Sequence, residues 1–240
     1  MPRFYCSQPL AAGATIALPE MVAHHARVVR LQPGAPLTLF NGDGGEYTAQ
    51  LLTVDKKGAT ATVLAHHPRE CELPYALTLA QALPEAAKMD WIIEKAVELG
   101  ASAIQPLAAQ RSVVKLSVER AEKRQAHWQG VIVAASEQSG RNRLAKLETL
   151  ANFSNWIASP PTQPRLLLTP RATESLTDWA KRAAPQAVTI LIGPEGGFSD
   201  TEEAQAIAAG ATPLSMGPRI LRCETAGMAA VSTLQAIWGE

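Results

Sequence analysis

Net charge, cysteine and long apolar runs are all scarce in this sequence, and each shortage excludes something. Among 240 residues, 22 Lys and Arg are matched by 22 Asp and Glu. Such a chain is not a polycation that clings to any polyanion. No stretch approaches the roughly 20 apolar residues that a membrane span needs. The opening Met1-Pro2-Arg3-Phe4-Tyr5-Cys6 lacks the apolar segment of a signal peptide, so a cytoplasmic protein is expected. Cys6, Cys71 and Cys223 are odd in number and widely spaced, which suits a reducing compartment better than a disulfide framework. The histidines include the pairs His24-His25 and His66-His67, but no HExxH or His-plus-Cys spacing, so no metal is expected. Internal repeats and low-complexity tracts are missing too. What the chain has is 47% hydrophobic residues, enough for a sizeable core and too many for intrinsic disorder.

The texture changes near Glu72–Pro74. Before it, Ala14–Leu18, Pro36–Phe40, Glu46–Val54 and Ala59–Ala65 read as short strands. Asn41-Gly42-Asp43-Gly44-Gly45 and Asp55-Lys56-Lys57-Gly58 are the turns between the last three. A helix is expected over Glu20–Arg30, opened by Pro19 and stopped near Pro33-Gly34. Short strands with glycine turns suggest a small barrel. After the boundary, strands at Tyr75–Leu83, Ala103–Leu107, Leu166–Thr169, Val188–Ile192 and Pro213–Met216 alternate with helices. The helices are expected at Lys88–Leu99, Ser117–Gln138 (capped by Ser117), Glu174–Arg182, from the capping box Ser199-Asp200-Thr201-Glu202 to Gly210, and at Glu224–Trp238. The alternation implies an α/β domain with a parallel sheet. The expected division is 1–72 and 73–240.

Three segments lie where strands end. Gly193-Pro194-Glu195-Gly196-Gly197-Phe198-Ser199 is glycine-rich, but it is neither a GK[ST] phosphate loop nor GxGxxG. It reads either as a tight turn or as a backbone surface that a ligand approaches closely. Met216-Gly217-Pro218-Arg219-Ile220-Leu221-Arg222-Cys223-Glu224-Thr225-Ala226 holds an apolar pair between two arginines, fit to floor a pocket for a flat ring, or else is simply a capped helix start. Leu167-Leu168-Thr169-Pro170-Arg171 is the third. If their strands are neighbours, the three converge on one crevice beyond the carboxyl edge of the sheet.

The pairing of GPEGGFS with MGPRILRCETA resembles the bacterial 16S ribosomal RNA uracil N3-methyltransferase family of the SPOUT superfamily. The likeness runs along the chain: Met1-Pro2-Arg3-Phe4, His24-His25-Ala26-Arg27-Val28-Val29-Arg30, Lys88 to Gly100, Arg111-Ser112, Trp128 and Glu137 to Arg141. It implies an N-terminal PUA-like β-barrel that binds RNA, and a SPOUT domain whose deep trefoil knot holds S-adenosylmethionine. It also implies a homodimer and the small ribosomal subunit as partner. Backbone contacts to the cofactor would come from Leu168, Thr169 and Pro170, from Gly193, Pro194, Glu195, Gly196 and Gly197, and from Met216, Gly217, Ile220 and Leu221, with Thr225 nearby. Arg222 is the first candidate to stabilise negative charge on the reacting base, with Arg219 also possible. Glu224 is a candidate base if its pKa is raised, and otherwise a helix-start carboxylate. Arg3, Arg27, Arg30, Lys88, Arg111, Arg141 and Arg143 are the RNA-binding candidates, any of which could instead be a solvated surface cation. The sequence departs from the family at Glu85, where Lys is frequent, and at Cys223, where Thr or Val is commoner.

Two other readings compete: the same chemistry on transfer RNA or another RNA site, and a non-catalytic RNA-binding or ribosome-assembly module. Charge is uneven locally, with ten basic and six acidic residues over 88–146. A few placed arginines and a modest salt dependence of RNA binding are therefore expected.

Overall fold

The computed structural model describes residues 1–85, 88–112 and 118–239. Contacts cluster into two units, Met1–Glu72 with Ser136–Leu144, and Leu73–Ala135 with Ala145–Glu240. The segment 136–144, which the sequence groups with the second half, thus clusters with the first.

The first unit is a five-stranded sheet of β1 (Arg3–Tyr5), β2 (Thr15–Ala17), β3 (Pro36–Phe40), β4 (Glu46–Asp55) and β5 (Gly58–His67), in the order β1-β3-β4-β5-β2. β1 runs parallel to β3 and the other pairs are antiparallel. The β4–β5 hairpin turns where expected. Asp55 Oδ1 accepts the backbone N–H groups of Lys57 (2.7 Å) and Gly58 (3.1 Å), an Asx turn. Leu37, Leu39, Leu51, Ala61 and Val63 are fully buried in one cluster with Val22 and Ala23 of α1 (Glu20–Val28). Each large side chain there contributes about 1.5–3 kcal/mol of burial. α1 stops two residues short of the expected Arg30, which instead has a positive φ of 56°.

A polar network also crosses this unit. Arg3 donates to Glu46, to the Arg141 carbonyl (2.9 Å) and to Asn142, while Glu46 also receives Arg69 at 2.8 Å. Arg141 is buried and forms a bidentate pair with Glu72.

The second unit is a parallel sheet of seven strands. Its order is β12 (Thr212–Leu214), β10 (Arg165–Leu168), β11 (Val188–Ile192), β6 (Leu77–Ala82), β7 (Ala103–Ala108) and β8 (Lys146–Leu147), with β9 (Ala151–Asn152) also on β7. Every residue of β11 is buried, as expected of a strand covered on both faces. The helices are α2 (Lys88–Glu98), α3 (Val118–Ser139), α4 (Phe153–Ala158), α5 (Leu176–Arg182), α6 (Asp200–Ala208) and α7 (Cys223–Trp238). The proposed cap Ser117 lies outside the described residues.

Sequence periodicity did not reveal β1, β8, β9 or α4. Each is too short to show a pattern over a useful window. α4 is held by tertiary contacts instead: buried Arg165 donates to the carbonyls of Ile157 (2.8 Å) and Ser159 (3.1 Å) at its end. Trp238 and Trp128 are buried, and the Trp238 indole N–H donates to the Ala180 carbonyl at 2.8 Å. Trp91, on α2, is 44% exposed.

Candidate functional site

The strand order decides what spacing alone could not. β12, β10 and β11 are neighbours, and all run parallel. The three segments that follow them therefore emerge at one edge of the sheet. They enclose a cavity of about 310 Å³.

From β10 come Leu168, Thr169, Pro170 and Arg171; from β11, Ile192 and the whole of Gly193–Phe198. After β12 come Met216, Gly217, Arg219, Ile220 and Leu221, then Cys223 and Ala226 at the start of α7. Thus every residue proposed from sequence to touch the cofactor lines the cavity, with one exception. Thr225 is exposed and outside it, because it points away from Cys223 and Ala226 on the first turn of α7. Glu203 was not singled out from the motifs, Ala226 was only the last residue of the segment from Met216, and Arg111, offered by the sequence to RNA, also lines the cavity. Glu203 stands one residue after the capping-box Glu202, and Ala226 one turn after Arg222, so helical spacing was the only available signal.

The glycine segment owes its shape to missing side chains. A Cβ on Gly193 would lie 2.7 Å from the Phe198 nitrogen and 2.9 Å from the Gly197 carbonyl carbon. Gly197 has a φ of +66° and its N–H donates to the Pro194 carbonyl at 2.8 Å. The next residue, Ser199, opens α6 with the expected capping box: its N–H donates to Glu202 Oε2 (2.9 Å) and its Oγ accepts the Glu202 N–H (3.2 Å).

Charged groups sit at the cavity margin. Glu203 accepts Thr169 Oγ1 (3.2 Å) and pairs with Arg171 (3.1 Å), which also pairs with Asp200 (2.7 Å). Glu195 Oε1 accepts Lys88 Nζ at 2.7 Å and the Glu85 backbone N–H at 3.0 Å. Partial burial pushes the Glu195 carboxyl up, but these donors outweigh it and hold the group below its ordinary range.

The proposed catalytic residues lie just outside the cavity lining. Arg222 is the exposed N-cap residue of α7 and makes no side-chain cap bond. Glu224 does not meet the condition for a base. Burial pushes its carboxyl up, yet its own backbone N–H, the Cys223 thiol, Lys88 and Arg222 together hold it below the usual carboxylate range. Its environment is donor-rich, so it stays ionised. Cys223 is 6% exposed, and burial followed by the neighbouring carboxylates pushes its thiol up to about 12. It is a neutral, space-filling group that donates to Glu224 Oε2 at 3.2 Å.

The seven candidate RNA contacts separate into groups. Arg3 and Arg141 are spent on the internal network of the first unit and are not free surface cations, a correction to the sequence reading. Their guanidinium groups bind carboxylates and carbonyls that sequence separation had hidden. Arg27 is half-buried and donates to the Asp55 carbonyl at 2.8 Å. Lys88 pairs with Glu195, and Arg111 donates to the carbonyls of Gly196 (2.8 Å) and Phe198 (3.2 Å). Arg30 is exposed, and so is Arg143, which pairs with Glu70 at 3.3 Å. Among the described residues, no group of three or more His, Cys, Asp or Glu could hold a metal, and no helix is long and apolar enough to cross a membrane.

An apolar cavity with backbone groups on three sides and both signs of charge at its rim suits a flat neutral ring carrying a zwitterionic tail. Comparison with known proteins agrees with that chemistry. Residues 71–235 match a family model described as an RNA methyltransferase domain, and residues 18–64 one described as an RNA methyltransferase PUA domain. The chain is 36% identical over 229 residues to the ribosomal RNA small subunit methyltransferase E of Synechocystis, covering 93% of this chain and 74% of that one. To the Bacillus subtilis protein of the same name it is 31% identical over 222 residues, covering 90% and 87%. Among solved structures, a ribosomal RNA small subunit methyltransferase E from Neisseria gonorrhoeae bound to S-adenosyl methionine superposes with a TM-score of 0.92. It is 36% identical, with 100% and 98% of the two chains covered. A methyltransferase from Legionella pneumophila in complex with the same cofactor gives 0.95 at 34% identity, with 100% and 98% covered.

Proposed function

We propose, from the premise that this chain belongs to the family of ribosomal RNA small subunit methyltransferases E, that it methylates N3 of one uridine in 16S ribosomal RNA. It is an S-adenosylmethionine-dependent ribosomal RNA methyltransferase with a PUA-like N-terminal domain and a parallel-sheet methyltransferase domain. The observation that carries the reading is the convergence of three neighbouring strand ends on one cavity, with Gly193 packed too tightly for a side chain.

The cavity fits the cofactor. Leu168, Ile192, Met216 and Leu221 would hold the purine, while the backbone of Gly193–Gly197 would meet the ribose and tail. When bound, S-adenosylmethionine supplies an electrophilic sulfonium methyl group. Uracil N3 lies on the Watson–Crick edge, so the base must leave its stack before it reaches the pocket. Loss of the N3 proton builds negative charge on the flanking carbonyls. Arg222, beside the cavity at the start of α7, is the cation to stabilise it. Glu224, held ionised, orients the neighbouring cations and does not store the proton.

The same reading extends to features of wider scale. The functional division follows the expected 1–72, a barrel for RNA that also gathers 136–144, and the rest of 73–240, the methyltransferase domain with a deep trefoil knot. A knot is supported by β11 lying between β10 and β6 while β12 pairs on the far side of β10. The active form is a homodimer, a reading supported by the 85% exposure of Ile220 between two arginines. The partner is the small ribosomal subunit in the cytoplasm. Arg30 and Arg143 are the best placed of the candidate phosphate contacts, being exposed.

In vitro methylation of undermodified small subunits and of free RNA, with the new methyl group located by mass spectrometry, tests this. A methyl on N3 of a single 16S uridine is expected. A methyl on transfer RNA or at another atom would sink the assignment, and calorimetry without S-adenosylmethionine binding would sink the cofactor site.

A further inference from the structure

Two cations that the sequence offers to RNA are turned inward, onto the glycine loop. Arg111 follows β7, and its Nη1 donates to the carbonyls of Gly196 (2.8 Å) and Phe198 (3.2 Å). Its backbone is firmly mounted, because the N–H of adjacent Gln110 donates at 2.7 Å to Glu202, a buried carboxylate at the start of α6. The Arg111 side chain also fills the space over Gly196, where an added Cβ would come within 3.4 Å of its Cδ. On the opposite side, Glu195 is gripped by the Glu85 N–H after β6 (3.0 Å) and by Nζ of Lys88, the first residue of α2 (2.7 Å). Between these grips, the loop's own backbone hydrogen bond is Gly197 N–H to Pro194 O. A segment with three glycines has many conformations to lose on ordering, so fixing it beforehand raises affinity for whatever binds its amides.

We propose that Arg111 and Lys88 are positioning residues. They clamp Gly193–Ser199 from the end of β7 and the start of α2 into the shape the cofactor meets, and they do not contact RNA phosphates. The inference rests on reading the cavity as the S-adenosylmethionine site.

The test compares the full-length protein with Arg111→Ala, Arg111→Lys, Lys88→Ala, Glu195→Gln and the Lys88→Ala/Glu195→Gln double variant. The readouts are S-adenosylmethionine affinity by calorimetry, amide hydrogen exchange at Gly196–Phe198 without cofactor, and the salt dependence of RNA binding with the cofactor saturating. For Arg111→Ala, cofactor binding about tenfold weaker and faster exchange in the loop are expected, with an unchanged salt slope. Arg111→Lys should fall between wild type and Ala. The Lys88 and Glu195 changes should be non-additive, since both act on the one Lys88–Glu195 ion pair. Unchanged cofactor affinity and exchange, with the salt slope reduced by about one, would instead make these residues phosphate contacts and overturn the proposal. Should the wild-type protein fail to bind the cofactor, the assignment of the cavity falls. Loop exchange then decides the clamp by itself: faster in Arg111→Ala supports it, and unchanged overturns it.

Discussion

Ser199 and Glu202 cap α6 reciprocally, and Glu202 spends its other oxygen on the Gln110 N–H at 2.7 Å. A local helix start is thereby tied to the turn after β7. Glu202 is 5% exposed, and its removal leaves two N–H donors, of Ser199 and Gln110, without this acceptor. Glu202→Ala should cost about 2 kcal/mol, against about 1 kcal/mol for Ser199→Ala, which removes one cap bond. Urea unfolding measures both. Equal losses would show that the bond to Gln110 contributes nothing.

Arg30 occupies a position that glycine takes elsewhere in this chain. α2 and α6 both end in a Schellman motif, with Gly100 and Gly210 at φ +93° and +87° and the following N–H bonded to Ala96 O (2.8 Å) and Ala206 O (2.9 Å). α1 ends the same way, with Arg30 at φ 56° and the Leu31 N–H on Ala26 O at 2.9 Å. A left-handed arginine is strained by roughly 1 kcal/mol relative to glycine. Arg30→Gly should therefore stabilise the protein by up to about 1 kcal/mol while weakening RNA binding, with a smaller salt slope. A stabilised variant with unchanged RNA affinity would remove Arg30 from the interface.

Arg141 and Arg143 lie two residues apart and should behave oppositely. Arg141 is 3% exposed in its pair with Glu72, and truncating one partner of a buried pair costs about 3 kcal/mol. Arg141→Ala should lower the thermal midpoint and leave the RNA salt slope of the folded fraction intact. Arg143→Ala should leave stability within about 0.5 kcal/mol and reduce RNA affinity. Thermal unfolding and titrations at several salt concentrations separate the two.

Glu46 predicts a pH dependence. The hydrogen bond from Arg69, opposed by burial and reinforced by Arg3, holds its carboxyl below the ordinary range. A depressed folded-state pKa contributes stability that is fully present above the unfolded value of about 4.3, and is lost as the pH falls through the folded one. Wild-type stability should thus drop below about pH 4, and Glu46→Gln should show a shallower drop with lower stability at pH 7. Parallel pH profiles for the two proteins would contradict this.

Much of the fold was legible because it is written locally. Gly100 and Gly210 stop their helices, Ser199-x-x-Glu202 starts one, and the turn Asp55–Gly58 closes its hairpin, all through contacts spanning a few residues. The apolar run Val188–Ile192 likewise announces a strand covered on both faces. The glycine segment 193–197 could be read locally as a backbone surface or a tight turn, whereas cofactor contacts at 168–170 and 216–221 were expected only from the family resemblance.

What the chain order could not decide was adjacency. β11 lies between β6 and β10, and β12 flanks β10, an arrangement chosen by the packing of whole strands and helices and by no local signal. Only that order brings the three segments to one cavity. The roles of the cations followed the same division. Arg3 and Arg30 are both arginines that the sequence offers to RNA. Yet Arg3 meets Glu46 and the Arg141 carbonyl across long separations, while Arg30 remains exposed. Residue type set the charge each side chain carries. Tertiary structure decided whether that charge faces a carbonyl, a carboxylate or water, because those partners are distant in sequence and near only in the fold.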